Sequence, residues 1–158
     1  MDRSNRLHRA LILLGFIATA FLAAVPAGLW PPAEWYLSIA KPAWNPPSWV
    51  FGPVWSTLYV LMGVAAWRVW RGSHAERGTA LSFWWTQLAL NALWSPLFFG
   101  MKRLDLALLE ILVLLLAIVA TAGAFWRVDR AAGFLLVPYI AWVSFAAFLN
   151  FTLWQLNR

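Results

Sequence analysis

The stretch Lys41-Pro42-Ala43-Trp44-Asn45-Pro46-Pro47-Ser48-Trp49-Val50-Phe51 runs directly into an apolar segment that ends near residue 70. Its prolines, with Pro53 just beyond, restrict the backbone, because each proline ring fixes φ and removes an N–H donor. Its aromatic side chains, together with Tyr36 shortly before it, offer broad flat surfaces at a low entropy cost. We predict a stiff loop that lies over one end of a helical bundle as a lid for a flat apolar ligand.

The composition indicates a bilayer as the solvent. Of 158 residues, 63% are hydrophobic, 11% are charged and 13 are tryptophan, whereas a soluble domain carries about a quarter charged residues. The formal net charge of +6 does not indicate nucleic-acid binding, because the basic residues stand singly or in small groups beside apolar segments. The chain has no cysteine, which excludes disulfides and thiolate metal sites. We predict one integral membrane domain over residues 1–158.

Five apolar segments each approach the ~20 residues that a transmembrane helix needs. They cover residues 10–29, 48–70, 80–99, 104–126 and 133–156. Short polar connections between them make consecutive helices antiparallel neighbours. The predicted fold is therefore an all-α bundle of five transmembrane helices, with the Pro/Trp-rich loop covering one end.

The first segment has two interpretations. Arginines precede an apolar run that ends near Val25-Pro26-Ala27, which is the pattern of a cleaved signal peptide. Against cleavage, Ala20, Ala24 and Gly28 form a ridge of small residues suited to close helix packing in lipid. We expect a retained helix. More arginines lie on the side of the N-terminus than on the other side, so the positive-inside rule predicts a cytoplasmic N-terminus in a multi-pass protein.

Helical spacing places aromatic and polar side chains on shared faces of three segments. These faces hold Trp55 and Tyr59 on the second segment, Asn91, Trp94, Ser95 and Phe98 on the third, and Pro138, Trp142, Phe145 and Leu149 on the fifth. Three such faces can converge on one aromatic pocket with a few polar groups, as small-molecule sites do. Ordinary helix packing explains the same spacing. Tryptophans near span ends instead fit an interfacial belt, namely Trp49, Trp67, Trp70, Trp126 and Trp154.

Several of these stretches resemble the TspO/MBR family, the translocator or tryptophan-rich sensory proteins. The resemblance rests on the loop into the second segment, on residues 87–99, which read Gln-Leu-Ala-Leu-Asn-Ala-Leu-Trp-Ser-Pro-Leu-Phe-Phe, and on residues 138–146, which read Pro-Tyr-Ile-Ala-Trp-Val-Ser-Phe-Ala, with Leu149-Asn150 after them. The matches cover nearly the whole chain in order, which makes the resemblance specific.

The resemblance implies a ligand cavity lined by residues at these motif positions. The implied ligand residues are Tyr36, Trp44, Trp55, Tyr59, Asn91, Trp94, Ser95, Phe98, Trp142, Phe145, Ala146 and Leu149. Both Asn91 and Asn150 are amides in apolar helices, and each must find a partner. For Asn91 the resemblance favours a direct ligand contact over an interhelical hydrogen bond, and for Asn150 it favours the structural role.

Four features limit the chemistry. Glu110 is a carboxylate inside the fourth segment, and we expect it to extend toward Lys102 or Arg103 at the helix start. The two histidines occur near the terminus and in a connection, so no metal-ligand spacing exists and a bound haem would lack an axial histidine. The family's sterol pattern is weakened, since Phe151 stands where a tyrosine is expected. No acid–base pair or nucleophile constellation is found.

Three functions fit these sequence features and the family resemblance. The resemblance implies a membrane receptor or sensor that binds porphyrins, such as haem or protoporphyrin, and related flat apolar ligands, with no required cofactor. It also allows an enzyme for light- and oxygen-dependent porphyrin breakdown, in which Trp55 and Trp142 would act, or a transporter of tetrapyrrole or sterol-like ligands. Membrane lipid is an expected partner. A homodimer through the third segment is also expected, using Ala80, Ser82, Thr86, Ala89 and Ala92.

Overall fold

The computed structural model describes residues 3–32 and 34–158, so the predicted domain lies within the described chain except for residues 1, 2 and 33. Helix is the only regular secondary structure in these ranges, which confirms the all-α prediction. The elements in chain order are α1 (Arg3–Leu22), α2 (Val25–Leu29), α3 (Glu34–Ser38), α4 (Ser48–Arg71), α5 (Arg77–Ser95), a π-helical turn (Pro96–Gly100), α6 (Leu104–Val128), α7 (Arg130–Leu135) and α8 (Val137–Leu156).

Prolines account for the places where the predicted segments are divided. Pro26 lies in the first turn of α2 and Pro138 in the first turn of α8. Pro96 opens the π-helical turn, in which the Met101 amide donates to the Pro96 carbonyl over 2.8 Å. Because proline has no N–H to give, the helical hydrogen-bond ladder is interrupted at each position. The first and last predicted segments are therefore each a pair of helices.

Within the described residues, length and composition make four parts of the chain suited to cross a membrane. These are Asn5–Leu22, Ser48–Arg71, Leu104–Val128 and Arg130–Leu156. Helix α5 has 19 residues but carries polar side chains, including the buried Gln87 and Asn91, and it falls outside this set. The predicted count of five spans is thus not confirmed by hydropathy, although five long helices are present in the described chain.

The bundle is held by packing between neighbouring helices. Helix α5 lies along α6, α1 along α4, and α6 along α8, while α4 packs closely against α7 but barely against α8. Helix α1 approaches α4 closely at Gly63, where a Cβ atom would lie 2.5 Å from the Ile17 Cα. Such close approach through small residues is typical of helix packing in lipid.

The Pro/Trp-rich loop packs on one end of the bundle. Residue Ala40 exchanges two hydrogen bonds of 2.9 Å with the Asn157 side chain, just after α8. Trp44 stacks on Phe148 of α8, with ring centroids 5.3 Å apart. The loop is thereby fixed to the C-terminal end of α8.

Candidate functional site

A cavity of about 280 Å³ lies in the half of the bundle nearest this loop. It lies where the turn between α1 and α2, helix α2, the start of α4, the end of α5, the first half of α6 and the first half of α8 meet. Its walls are formed by Ala23, Ala24, Ala27, Phe51, Gly52, Trp55, Tyr59, Asn91, Trp94, Ser95, Ile111, Leu114, Trp142, Val143 and Ala146. An apolar, aromatic wall with few polar groups is the usual make-up of a small-molecule site.

The aromatic rings of the wall support one another. Trp55 stacks on Tyr59 with centroids 5.5 Å apart and an interplanar angle of 28°. Phe51 meets Trp142 edge to face at 5.8 Å. Because Phe51 and Trp55 are four residues apart on α4, they lie on one helix face. The flat surfaces are therefore positioned by the helix and by ring packing together.

A chain of buried hydrogen bonds connects α4, α5 and α8 beside the cavity. The Tyr59 hydroxyl donates to Asn91 Oδ1 at 3.0 Å, and Asn91 Nδ2 donates to the Tyr139 hydroxyl at 2.9 Å. That hydroxyl donates in turn to Gln87 Oε1 at 3.0 Å, and Gln87 Nε2 approaches the Met62 sulfur at 3.8 Å. This polar chain satisfies the amide groups of α5 inside an apolar bundle, which is what burial requires.

Trp142 separates the cavity from the outer surface of the bundle. It also lines a groove of about 560 Å³ between α4 and α8. The groove is walled by Pro53, Val54, Thr57, Leu58, Pro138, Ala141, Trp142 and Phe145. The indole Nε1 of Trp142 is buried and has no hydrogen-bond partner among the described residues. One side chain therefore contacts both compartments and retains a free donor.

Comparison with known proteins identifies this architecture. Residues 10–155 match the TspO/MBR family, which is most of the chain. The chain belongs to the TspO/MBR family. The TspO/MBR resemblance expected from the sequence is thereby confirmed, and with the apolar helices it makes this a membrane protein.

Relatives in this family come from distant organisms. The chain is 44% identical to "Protein CrtK" of Rhodobacter capsulatus over 150 residues, 93% of this chain and 92% of the relative. It is 45% identical to a "Tryptophan-rich sensory protein" of Cereibacter sphaeroides over 146 residues, 92% and 91% of the two chains. It is 42% identical to the human "Translocator protein" over 128 residues, 79% and 76%.

The cavity of this TspO/MBR protein includes many of the ligand residues predicted from the sequence. Those on its wall are Trp55, Tyr59, Asn91, Trp94, Ser95, Trp142 and Ala146. The predicted residues away from its wall are Tyr36, Trp44, Phe98, Phe145 and Leu149. Convergence of three helices thus brings the central indoles together, whereas the loop aromatics lie farther out.

The residues away from the cavity have defined contacts. Phe98 and Leu149 belong to a second apolar cluster, in which Phe98 stacks on Trp94 at 4.6 Å. Tyr36 packs on Phe98 at 6.1 Å, and its hydroxyl donates to Asn45 Oδ1 at 3.4 Å. Partial burial raises the pKa of Tyr36, while the bond to Asn45 acts in the opposite direction. These residues support the site from the loop side without facing the cavity.

The two asparagines are both bonded within the protein. Asn150 accepts from Trp94 Nε1 at 3.2 Å and donates to the Leu104 carbonyl at 2.9 Å, as a structural amide does. Asn91 lines the cavity, but its amide oxygen and nitrogen each already have a tyrosine partner. The predicted ligand contact of Asn91 would have to use its remaining hydrogen-bonding capacity.

Some wall residues were not predicted from the sequence. Phe51 lies one turn before Trp55, so the same helical spacing would have found it. Ile111 and Leu114 come from α6, where every residue from 111 to 120 is apolar, so no aromatic or polar side chain marks them as wall residues. The small residues Ala23, Ala24 and Ala27 matter because their size leaves space for the cavity.

The expectation for Glu110 is wrong. Glu110 is only 7% exposed, and neither carboxyl oxygen has a partner among the described residues. Arg103 instead forms a two-point contact with Asp105, at 2.8 and 2.6 Å. Asp105 is nearer along the chain, so it engages the guanidinium at the start of α6 and Glu110 remains inside the bundle.

Proposed function

We propose that this protein is a membrane receptor or sensor that binds flat apolar ligands, porphyrins among them, in the cavity between α4, α5 and α8. The proposal rests on one observation, which is that the indoles of Trp55, Trp94 and Trp142 line the same cavity. Indole faces stack on flat conjugated ligands over a large area. The unpaired Nε1 of Trp142 offers one directional contact to an acceptor on the ligand.

Cavity size limits how a large ligand binds. A volume of about 280 Å³ is just below the range for drug-sized ligands, about 300–1,000 Å³. A tetrapyrrole macrocycle is larger than a drug of few rings, so it needs more space than the cavity holds. We infer that displacement of Trp142 joins the cavity to the outer groove of about 560 Å³ and makes that space.

The porphyrin is a ligand in this proposal and not a resident cofactor. No histidine lies on the cavity wall, so haem iron would receive no imidazole there and the ring would be held by stacking and apolar contact. The enzyme alternative is favoured by one observation: Trp55 and Trp142, the residues able to exchange electrons with an excited porphyrin, line the same cavity.

The test fills the cavity and leaves the rest of the bundle unchanged. Ala146 lines the cavity, so Ala146→Leu adds side-chain volume to it. The matched control is Ala120→Leu, at an exposed position of α6 away from the cavity. Purified protein in detergent is titrated with protoporphyrin in the dark, and the midpoint of tryptophan quenching is compared. We expect a higher midpoint for Ala146→Leu only.

One result would refute the proposal, and two others would support an alternative function. Equal midpoints for wild type and Ala146→Leu would place the ligand outside the cavity and refute the proposal. Loss of the porphyrin spectrum under light and oxygen, abolished in Trp55→Phe/Trp142→Phe, would support the enzyme over the sensor. Ligand accumulation in sealed vesicles would support transport, the remaining alternative.

For the topology, we propose five spans with a cytoplasmic N-terminus. Helix α5 is joined to α4 and α6 by short connections, residues 72–76 and 101–103, and α4 and α6 are both suited to span. Because α5 also packs along the membrane-span candidate α6, we expect it to cross the same layer, and 19 residues with the following π-helical turn extend about 30 Å or more. The bonded Gln87 and Asn91 make its polar content compatible with lipid.

We also propose a homodimer through the outer face of α5. Ser82, Thr86 and Ala89 are exposed on one face, and both hydroxyls bond to their own helix. Ala80 is buried inside the bundle, so it is not available for a partner. Sterol binding stays a weak proposal, because Phe151 brings no hydroxyl to the end of α8.

A further inference from the structure

A second cavity lies at the opposite end of the bundle from the loop. Its volume is about 650 Å³, and it lies where α1, α4, α5 and α6 come together at their ends. Its walls are formed by His8, Arg9, Ile12, Trp67, Arg68, Trp70, Arg71, Gly72, Arg77, Val128 and Asp129. We call this cavity the arginine cleft. It shares no lining residue with the ligand cavity.

The arginine cleft carries an excess of positive charge. Four arginines, Arg9, Arg68, Arg71 and Arg77, line it, and Asp129 is the only acidic residue on its wall among the residues that the structure describes. Arg68 Nη2 contacts Asp129 Oδ2 at 2.9 Å, and it is the one arginine of the four that pairs with a carboxylate in the described part of the chain. Three guanidinium groups remain without a counter-ion there.

The protein's own contacts leave most of these donors free. Arg71 lies over the Trp67 ring at 4.6 Å, which orients its guanidinium without consuming an N–H. Arg77 donates to the carbonyls of Trp70 and Gly72 through Nη1 alone. Arg68 Nε is buried and has no hydrogen-bond partner among the described residues. Buried donors of this kind require an acceptor.

We propose that the arginine cleft binds the phosphate group of an anionic membrane phospholipid. Phosphate oxygens match guanidinium donors in geometry and charge. The walls also contain Trp67 and Trp70, near the end of a helix suited to span, together with the apolar Ile12 and Val128. Indoles at span ends lie at headgroup depth. A soluble phosphate compound would leave this apolar part of the cleft without a contact, whereas acyl chains cover it.

The test compares two variants that each lose two positive charges. Arg9→Gln/Arg71→Gln removes guanidiniums that line the cleft and make no hydrogen bond to the described residues. Arg127→Gln/Arg130→Gln removes two exposed arginines near the α6–α7 junction that do not line it. Native mass spectrometry of the full chain in detergent measures retention of phosphatidylglycerol, with phosphatidylcholine as the neutral lipid and glycerol phosphate as the soluble probe. Unchanged thermal unfolding midpoints show that each variant is folded.

We expect wild type and Arg127→Gln/Arg130→Gln to retain phosphatidylglycerol over phosphatidylcholine. Arg9→Gln/Arg71→Gln should bind phosphatidylglycerol at least about tenfold more weakly, because each basic residue near an anionic lipid surface contributes to the free energy of binding. Equal losses in both variants would show diffuse electrostatic attraction and overturn the site. Glycerol phosphate binding as tightly as phosphatidylglycerol would overturn the lipid assignment in favour of a soluble phosphate ligand.

Discussion

The hydroxyl of Tyr59 donates a hydrogen bond of 3.0 Å to Oδ1 of Asn91, and this bond connects α4 to α5 at the cavity wall. Both residues are buried, so each polar atom depends on the other for a partner. The bond belongs to the polar chain that reaches α8 through Tyr139. The same bond therefore holds α4 to α5 and fixes the positions of two residues of the cavity wall.

The first prediction concerns the hydrogen bond between Tyr59 and Asn91. Asn91→Leu leaves the buried Tyr59 hydroxyl without its acceptor, and it should cost about 1–3 kcal/mol of stability. Tyr59→Phe/Asn91→Leu removes the orphaned hydroxyl too, while Tyr139 keeps Gln87 as its acceptor. We expect the double variant to unfold at a higher temperature than Asn91→Leu in detergent. A double variant less stable than Asn91→Leu would contradict this account.

The second prediction concerns the indoles of the cavity. Trp55→Phe and Trp142→Phe keep an apolar ring but lose stacking area and the N–H donor. Each aromatic contact contributes roughly 0.5–1.5 kcal/mol beyond burial, so the dissociation constant for protoporphyrin should rise up to about tenfold. Trp154→Phe, away from the cavity, is the control. A midpoint that shifts in the control alone would refute the assignment.

The third prediction concerns the close approach of α1 to α4 at Gly63. A Cβ at Gly63 would lie 2.5 Å from the Ile17 Cα, a backbone atom that no side-chain motion can move away. Gly63→Ala should therefore destabilise the bundle by about 1–3 kcal/mol. Gly15→Ala is the matched control, since nothing lies within 4 Å of its Cβ position. Thermal unfolding in detergent should leave this control unchanged or slightly stabilised.

The fourth prediction concerns pH and the contact of Arg68 with Asp129. Partial burial raises the pKa of Asp129, but the hydrogen bonds from Arg68 and from the Ala131 and Ala132 amides outweigh it, so the pKa lies below its ordinary value. A depressed folded-state pKa gives stability that is present above the unfolded value, about 3.9, and is lost as pH falls through the folded value.

Asp129→Asn isolates that charge, because asparagine still caps α7. It should lower stability by about 0.2–1 kcal/mol at neutral pH, the usual contribution of a solvent-accessible ion pair. The difference from wild type should shrink on acidification below about pH 4. Unfolding midpoints measured from pH 7 to pH 3 provide the check, and a difference that grows toward acid would contradict the prediction.

The fifth prediction tests the homodimer with introduced cysteines. The chain has no cysteine of its own, so a single introduced thiol reports one position. Ala89→Cys, on the exposed face of α5, should form a disulfide-linked dimer in membranes under mild oxidation. Ala120→Cys, exposed on α6, should stay monomeric. Equal cross-linking at both positions would indicate random collision and not a defined interface.

The sequence predicted the helical fold and the convergence of Trp55, Trp94 and Trp142 on one cavity, because both follow from local spacing, while their role in ligand binding stays a prediction. Trp55 and Trp142 reach the cavity since each lies on the inward face of its helix. Trp44 does not, because the path of its loop is set by distant contacts, such as its stacking on Phe148. Residue spacing within a helix predicts which side chains share a face, but it does not predict how a loop packs on the end of the bundle.

The remaining differences also have physical causes. Glu110 looked able to reach the basic residues at the start of α6, and the competing contact of Arg103 with Asp105 is visible only in three dimensions. Ile111 and Leu114 line the cavity because of the rotation of α6 against its neighbours, which the uniformly apolar run of residues 111–120 does not reveal. The prolines are visible in the sequence, yet Pro53 lies inside the continuous α4 while Pro26 and Pro138 lie in the first turns of new helices, so a proline alone does not predict where a segment divides.

We have proposed that a large ligand displaces Trp142 from its position between cavity and groove, and this displacement would couple the two compartments thermodynamically. A lipid or detergent tail in the groove would contact the indole from outside, and a ligand that displaces the indole would also have to displace that tail. By linkage, each occupant changes the affinity of the other by the same factor. The ligand affinity measured for this protein should therefore depend on the surrounding lipid or detergent. It should change with the chain length of that lipid or detergent even when the amino-acid sequence is unchanged.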